Sequence, residues 1–366
     1  MQEDLFYLLA LQKVKGIGDI SAKKLLKHFG SAKKVFEAAK ENAIDIPDIG
    51  TYIIGQLKDF DQFSLVEKEL KYISQQKIQV ISIFDKEYPV KLFHAPDGPI
   101  LFFKKGNFTL NDRKSISVVG TRNITPYGKR IVQEIIEEIK AYNPIIISGL
   151  AYGVDINAHT QALKNGLDTI GVLGHGFQRI YPAIHNKIAS KMLEKGGLIT
   201  EFWHTDTIDR NNFLKRNRII AGISEATLII ESGEKGGSLV TADIANSYNR
   251  DVFAVPGRTS DIYSKGCNNL IKNSQAQLIT RGKDIVDILQ WEKKDSKNKN
   301  PQLNLFVDLS ADEQKIFDFL QEKGKTGLDE IAFSLGFPIS KTAQLLLQME
   351  LNNVISSLSG KQFEII

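Results

Sequence analysis

The sequence predicts an α/β protein built on an extended Rossmann-like, doubly wound parallel sheet, with a helical domain before it and a winged-helix domain after it. Three observations carry this. ISVV (116–119), IIIS (145–148), TIGVL (169–173), ATLII (226–230) and VFAV (252–255) are short unbroken apolar runs, the pattern of strands covered on both faces. Amphipathic stretches such as YGKRIVQEIIEEIKAY (127–142) and SLVTADIANSYN (238–249) separate them, and that alternation demands crossover helices and a parallel sheet. The polar, lysine-rich WEKKDSKNKNPQ (291–302) then marks a linker to a separate domain.

The elements follow in order. Residues 1–75 read as helices: LFYLLALQ, SAKKLLKHFG and AKKVFEAAK carry apolar residues three and four apart. Between the first two lies VKGIGDIS (14–21), two glycines around Ile17 with Ser21 able to cap the next helix. This is either a helix-hairpin-helix turn that brings backbone N–H groups to a DNA phosphate, with Lys13, Lys15, Lys23, Lys24 and Lys27 around it, or an ordinary tight turn. The sheet occupies 78–290. Residues 303–366 give helices ADEQKIFDFLQEKG, LDEIAFSLG and SKTAQLLLQMELNN, then strand-like VISSLSG and KQFEII, the order of a winged helix.

Charge narrows the function classes. The whole chain of 366 residues carries only +4, so any nucleic-acid role depends on where the charge sits. Residues 301–366 hold five lysines against nine acids, a net −4 that leaves +8 for residues 1–300. The winged helix is thus poorly suited to phosphates, a contact with protein fits it better, and a transcription factor acting through it is disfavoured. The one cysteine, Cys267, excludes an intrachain disulfide, no His/Cys cluster has metal-ligand spacing, and neither a signal segment nor a bilayer-length apolar run is present. The expectation is a cytoplasmic protein with no membrane contact, no metal and no cofactor.

Ligands of an open parallel sheet bind beyond the carboxyl ends of its strands, where helix N-termini present free N–H groups. Three strand-to-helix turns there are rich in small residues: VVGTRNITPYG with Gly120, Arg122, Thr125 and Pro126; ISGLAYGVDINAH with Gly149, Gly153 and Asp155; ESGEKGGSLVTADIA with Gly236, Gly237 and Ser238. None is a dinucleotide fingerprint or a P-loop. RNNFLKRNR (210–218) precedes the strand ATLII and belongs at the same rim, with four cations around Phe213 and no acid. On residue type alone it is a solvated helix face or a phosphate track with a stacking ring, and Phe213 is a base platform or a core anchor. In a helix begun near Phe213, Lys215 and Arg218 share a face and Arg216 lies off it.

SVVGTR (117–122), SGLAYGVD (148–155), TIGVLGHGFQRIYP (169–182), FLKRNRIIAGIS (213–224), GGSLVTADIA (236–245) and VFAVPG (252–257) resemble, in order and spacing, the core of the DNA-processing protein A (DprA/Smf) family of bacteria. The resemblance covers residues 78–290. It implies a homodimeric single-stranded-DNA-binding protein, associated through the Rossmann domain, that helps load RecA recombinase during natural transformation and has no catalytic residues. The DNA contacts it implies, together with the turns above, are Arg122, Ser148, Gly149, Tyr152, Gly153, Arg210, Phe213, Lys215, Arg216, Arg218, Gly237 and Ser238. Leu214 stands where proline is common, Tyr152 where arginine is common, and ESGEKGGS is slightly long. The competing reading is a nucleotide-cleaving, lysine-decarboxylase-like Rossmann enzyme, for which Glu201, Glu231 and Asp243 are the available carboxylates. Apolar residues late in the domain, such as Leu270 and Ile271, add to the expectation that two cores associate, without naming the contact residues.

Overall fold

The computed structural model describes residues 2–292, 309–352, 354–358 and 362–365. Most of the expected linker, from 293, and the first residues of the last domain therefore lie outside the described residues. The chain forms two compact units, Met1–Lys294 and Asp295–Ile366. Among the described residues no helix is long and apolar enough to cross a membrane.

The first unit begins with five helices: α1 (Gln2–Lys13), α2 (Asp19–Phe29), α3 (Ala32–Lys40), α4 (Thr51–Lys58) and α5 (Phe63–Gln75). Spacings of three and four make one stripe of each helix apolar, and on α2 Ala22, Leu25 and Leu26 are buried. Gly30 closes α2 in the left-handed conformation, and Ser31 caps α3 by accepting from the Lys34 N–H at 3.4 Å. Three of the five lysines around the Gly16–Ile17–Gly18 turn are engaged within the unit: Lys13 with Asp206, Lys24 with Asp48, and Lys23 with the Ala95 carbonyl. The helices share one hydrophobic core with Ile100, Leu101, Phe103 and Trp203, so they pack directly on the sheet region.

The sheet follows as β1 (Gln79–Ser82), α6 (Val90–Phe93), β2 (Leu101–Gly106), β3 (Ser115–Val119), α7 (Pro126–Ile139), β4 (Ile145–Ser148), α8 (Val154–Lys164), β5 (Thr169–Val172), α9 (Asn186–Met192) and β6 (Gly196–Thr200). It continues with α10 (Arg210–Ile223), β7 (Ala226–Ile229), α11 (Gly237–Ser247), β8 (Asp251–Ala254), α12 (Lys265–Lys272), β9 (Gln277–Leu278) and α13 (Gly282–Ile288). The strand order is β1-β2-β6-β5-β4-β3-β7-β8-β9. β3 to β9 are parallel to their neighbours, and β2 joins β6, and β1 joins β2, antiparallel. All five strands read from apolar runs are present. β1, β2, β6 and β9 were not read: β6, GGLIT, has two glycines where an apolar run would start, and β9 has two residues.

Alternate residues of each strand enter opposite layers. Ile116, Val118, Ile146, Leu228 and Phe253 pack against α7, α8 and α13; Val119, Ile145, Ile147, Ile229 and Ala254 pack against α10, α11 and α12. Each of these side chains except that of Ala254 contributes roughly 1.5–3 kcal/mol by leaving water, so the sheet is a rigid base for its loops. β3 lies between β4 and β7, and the helices after β3 and β7, α7 and α11, lie on opposite faces. That is the switch point where a crevice opens beyond the strand ends.

The second unit comprises α14 (Ala311–Lys323), β10 (Thr326–Gly327), α15 (Leu328–Leu335), α16 (Ile339–Leu351), β11 (Ile355–Leu358) and β12 (Gln362–Ile365), with sheet order β10-β12-β11, a winged-helix arrangement. Ser310 and Glu313 form a capping box at α14, and Ile316, Leu320, Ile331, Leu346, Met349 and Ile355 make the core. The lysine of α16, Lys341, is tied to Asp312 at 2.6 Å.

Candidate nucleic-acid interface

The crevice at the switch point is a cleft of about 430 Å³ lined from the turns after β3, β4 and β7 and from the first half of α10. The three turns are fixed to one another by backbone groups. Thr121 N–H donates to the Glu231 carbonyl at 2.7 Å, and Val154 N–H donates to the Thr121 carbonyl at 3.1 Å. Gly153, at φ +78°, makes this approach possible, because a Cβ there would lie 2.1 Å from the Thr121 oxygen. Thr125 caps α7 and Pro126 occupies its first turn, as read from the sequence.

Arg122 and Arg210 are exposed at the rim, and Phe213 is half-buried between them and the floor. The Arg122 guanidinium lies 5.9 Å from the Phe213 ring centroid, and Tyr181 meets the same ring at 5.9 Å with planes 50° apart. The ring covers Gly174, where an added Cβ would come within 2.8 Å of it. Phe213 belongs to none of the hydrophobic cores, so it is not a core anchor. Lys235, in the turn before α11, adds a third exposed cation to the lining. Among the described residues no carboxylate lies within ion-pair distance of Arg122, Arg210 or Lys235.

The remaining cations of α10 are placed differently from a single track. Arg216 is 4% exposed; its Nη1 donates to the Val172 carbonyl at 2.6 Å and its guanidinium fills the space over Gly149, where a Cβ would sit 1.8 Å from Nη1. Burial lowers its pKa to about 10, against the pull of Asp155 and with a push from Arg122. Asp155 in turn accepts from the Gly149 and Ala151 N–H groups at 3.2 and 3.3 Å, and burial raises its pKa although Arg216 and those N–H groups act in the other direction. Arg216 therefore forms the floor, with its Nε buried and unpartnered. Arg218, 5% exposed, faces away from the cleft and binds Glu201 and Asp19, the latter at 3.0 Å. Lys215 reaches the same Glu201 at 3.5 Å. The helical spacing that separated Lys215 and Arg218 from Arg216 is observed, but two of the four expected cations are buried charges with carboxylates of distant segments beside them.

Other expected contacts divide as well. Ser148 is fully buried and its hydroxyl donates to the Val118 carbonyl at 2.6 Å, so it serves the sheet. Gly149 and Gly153 shape the second turn rather than face outward. Tyr152, 48% exposed, stands edge-on to His185 at 5.1 Å, outside the cleft lining. Gly237 opens α11 at the cleft, and the Ser238 hydroxyl donates to Ser232 at 2.9 Å beneath it. Tyr181 and Lys235 were missed; Lys235 was signalled by a cation inside the glycine-containing turn, and Tyr181 by its place in the block TIGVLGHGFQRIYP. None of the carboxylates considered for catalysis lines the cleft. Glu231 accepts from Thr125 N–H and Oγ1 at 2.9 and 2.5 Å, Glu201 is held by Arg218 and Lys215, and Asp243 is exposed along α11.

The profile of the family described as DNA recombination-mediator protein A matches residues 79–290, and that of the DprA winged helix domain matches residues 306–361. Protein Smf of Synechocystis sp. is 29% identical over 98% of each chain. DNA processing protein DprA of Bacillus subtilis is 39% identical over 59% of this chain and 72% of its own. Among solved structures, DNA processing protein A from Streptococcus pneumoniae aligns with 78% of this chain and 98% of its own at 30% identity and a TM-score of 0.66. That of DNA processing protein A from Helicobacter pylori, described for its single-stranded DNA binding mode, aligns with 58% and 96% at 27% identity and a TM-score of 0.53.

Proposed function

The chain belongs to the DNA recombination-mediator protein A (DprA/Smf) family, and from that premise we propose that it binds single-stranded DNA in the switch-point cleft and passes the strand to a RecA-type recombinase. One observation carries the reading: exposed, unneutralised Arg122, Arg210 and Lys235 surround a half-buried Phe213 that lies outside every core. Exposed cations beside an aromatic face suit a strand whose bases are unstacked, and a duplex hides those faces. In this reading Arg122, Arg210 and Lys235 meet phosphates, Phe213 and Tyr181 stack a base, the N-terminus of α11 at Gly237 and Ser238 faces an anion, and Arg216 holds the floor. Lys215 extends the track only at its edge, and Arg218 and Ser148 act through the fold.

Within the same proposal the protein works in the cytoplasm, cleaves nothing and dimerises through the Rossmann domain. Leu270 is 4% exposed in the core and Ile271 packs against it, so neither is free for a partner; the exposed Leu278, on the edge strand β9, is the apolar residue we propose for the dimer contact. The test is binding to matched single-stranded and duplex oligonucleotides across a salt series. A single-strand preference with a steep salt decline supports the reading; equal affinity for duplex, or release of free base from a nucleoside monophosphate, overturns it.

A further inference from the structure

Several polar ties run from the N-terminal helices to one stretch, residues 201–218, and the helical residues that make them lie outside the cleft lining. Lys13, at the end of α1, pairs with Asp206 at 2.5 Å and lies 4.6 Å over the Trp203 ring. Its neighbour Gln12 accepts from the Trp203 indole N–H at 2.7 Å and donates to the Glu201 carbonyl at 3.1 Å. From α5, Glu69 accepts from the His204 backbone N–H at 3.2 Å and pairs with its Nδ1, while Tyr72 stacks on the imidazole at 4.1 Å with planes 13° apart. Asp19, the first residue of α2, accepts from Arg218 Nη2 at 3.0 Å.

These partners span the connection from β6 into α10 and the helix's first turns. A connection of this kind is ordinarily among the more easily opened parts of a fold. Here Glu201, Trp203, His204 and Asp206 are each anchored on α1 or α5, and Asp209, which caps α10, follows directly, with Arg210 and Phe213 next. The ties therefore set where α10 begins, and with it where a rim cation and the stacking ring stand.

We infer that the N-terminal helical module is a positioning device for the DNA-binding face: Lys13, Glu69 and Asp19, acting through Asp206, His204 and Arg218, hold Arg210 and Phe213 over the cleft. The inference rests on the reading of the cleft given above. It makes the module part of the single-strand site without contact to the strand, and gives anything that displaces the module control over affinity.

The test uses the full chain carrying Lys13→Met, Glu69→Gln, or the exchanged pair Lys13→Asp with Asp206→Lys, and a fluorescent oligothymidylate titrated at several salt concentrations. Each single variant is expected to weaken binding about 3- to 30-fold and to lower the salt slope toward that of Arg210→Ala; the exchanged pair regains the ion pair but not the Trp203 N–H bond that Asp206 accepts at 2.8 Å, so it restores both in part. A merely stabilising role would lower the melting temperature and leave the slope of the folded protein unchanged. A fluorophore on Asn211→Cys, placed with the native Cys267 buried, is expected to gain mobility in the single variants. Should Glu69→Gln fail to fold, Lys13→Met, at a partly exposed position, decides alone. Wild-type affinity, slope and label mobility in a folded variant overturn the inference while the cleft reading stands; a wild-type protein that ignores single strands overturns both.

Discussion

Phe213→Ala separates stacking from both charge and core packing, and the structure sets its size. The ring is half-buried, touches Tyr181 and Arg122 at centroid distances of 5.9 Å each, and covers Gly174. Its aromatic pair accounts for about 0.5–1.5 kcal/mol and its cation–π contact for about 0.5–1 kcal/mol. Both are partial, so the folded state should lose about 1–2 kcal/mol, below the roughly 3–5 kcal/mol of a fully buried phenylalanine. Binding should lose about 1–3 kcal/mol for one unstacked base, a weakening of about 5- to 150-fold. The salt slope should not change, because no phosphate contact is removed. The assay is fluorescence anisotropy with a short single-stranded oligonucleotide at several salt concentrations, with thermal melts on the same preparations; Phe213→Trp should retain affinity. Full-strength binding by folded Phe213→Ala would refute the stacking role, and a slope lowered by one would mean that the ring acts by holding Arg122.

Other substitutions test the remaining parts of the site. Arg122→Ala and Arg210→Ala should each weaken binding to every sequence alike and reduce the salt slope by about one, measured in the same titration. Arg216→Ala should instead destabilise the fold by about 1–3 kcal/mol, because it strips the buried Val172 carbonyl of its charged donor and removes the cation whose field favours ionised Asp155. The Asp155 pKa is already raised by burial and rises further without Arg216; the folded state then holds the proton more tightly than the unfolded one. Stability therefore falls as pH climbs from the ordinary carboxylate value through the raised one, and melts should show a larger deficit at pH 8 than at pH 5. Gly153→Ala forces a side chain into φ +78° and against the Thr121 carbonyl; a loss of about 2 kcal/mol or more by chemical denaturation is expected, with binding reduced in parallel. Ending the chain at Lys294, where the first compact unit ends, should leave single-strand affinity within about twofold, because the removed segment is acidic.

What the sequence determined by itself were the features set by near neighbours along the chain. Unbroken apolar runs announced β3, β4, β5, β7 and β8, since a parallel strand covered on both faces needs no polar alternation. Small residues after those strands located the cleft, and the 3.6-residue period placed Lys215 and Arg218 apart from Arg216. The edge strands β1 and β9 and the glycine-led β6 escaped because their stability comes from neighbouring strands and from the helices packed on them, not from their own pattern, whereas β2, paired between β1 and β6, carries a short apolar run of its own, LFF (101–103). Tertiary structure alone decided which charges meet solvent. Four cations in nine residues look alike in sequence, yet Arg218 is taken by Asp19, 199 positions away, and Glu201, while Arg216 sinks beside Asp155. The ties from α1 and α5 likewise join residues more than 130 positions apart. A buried charge is stable only where an opposite charge or a carbonyl is brought to it, and which one arrives is a property of the folded chain, not of the residues beside it.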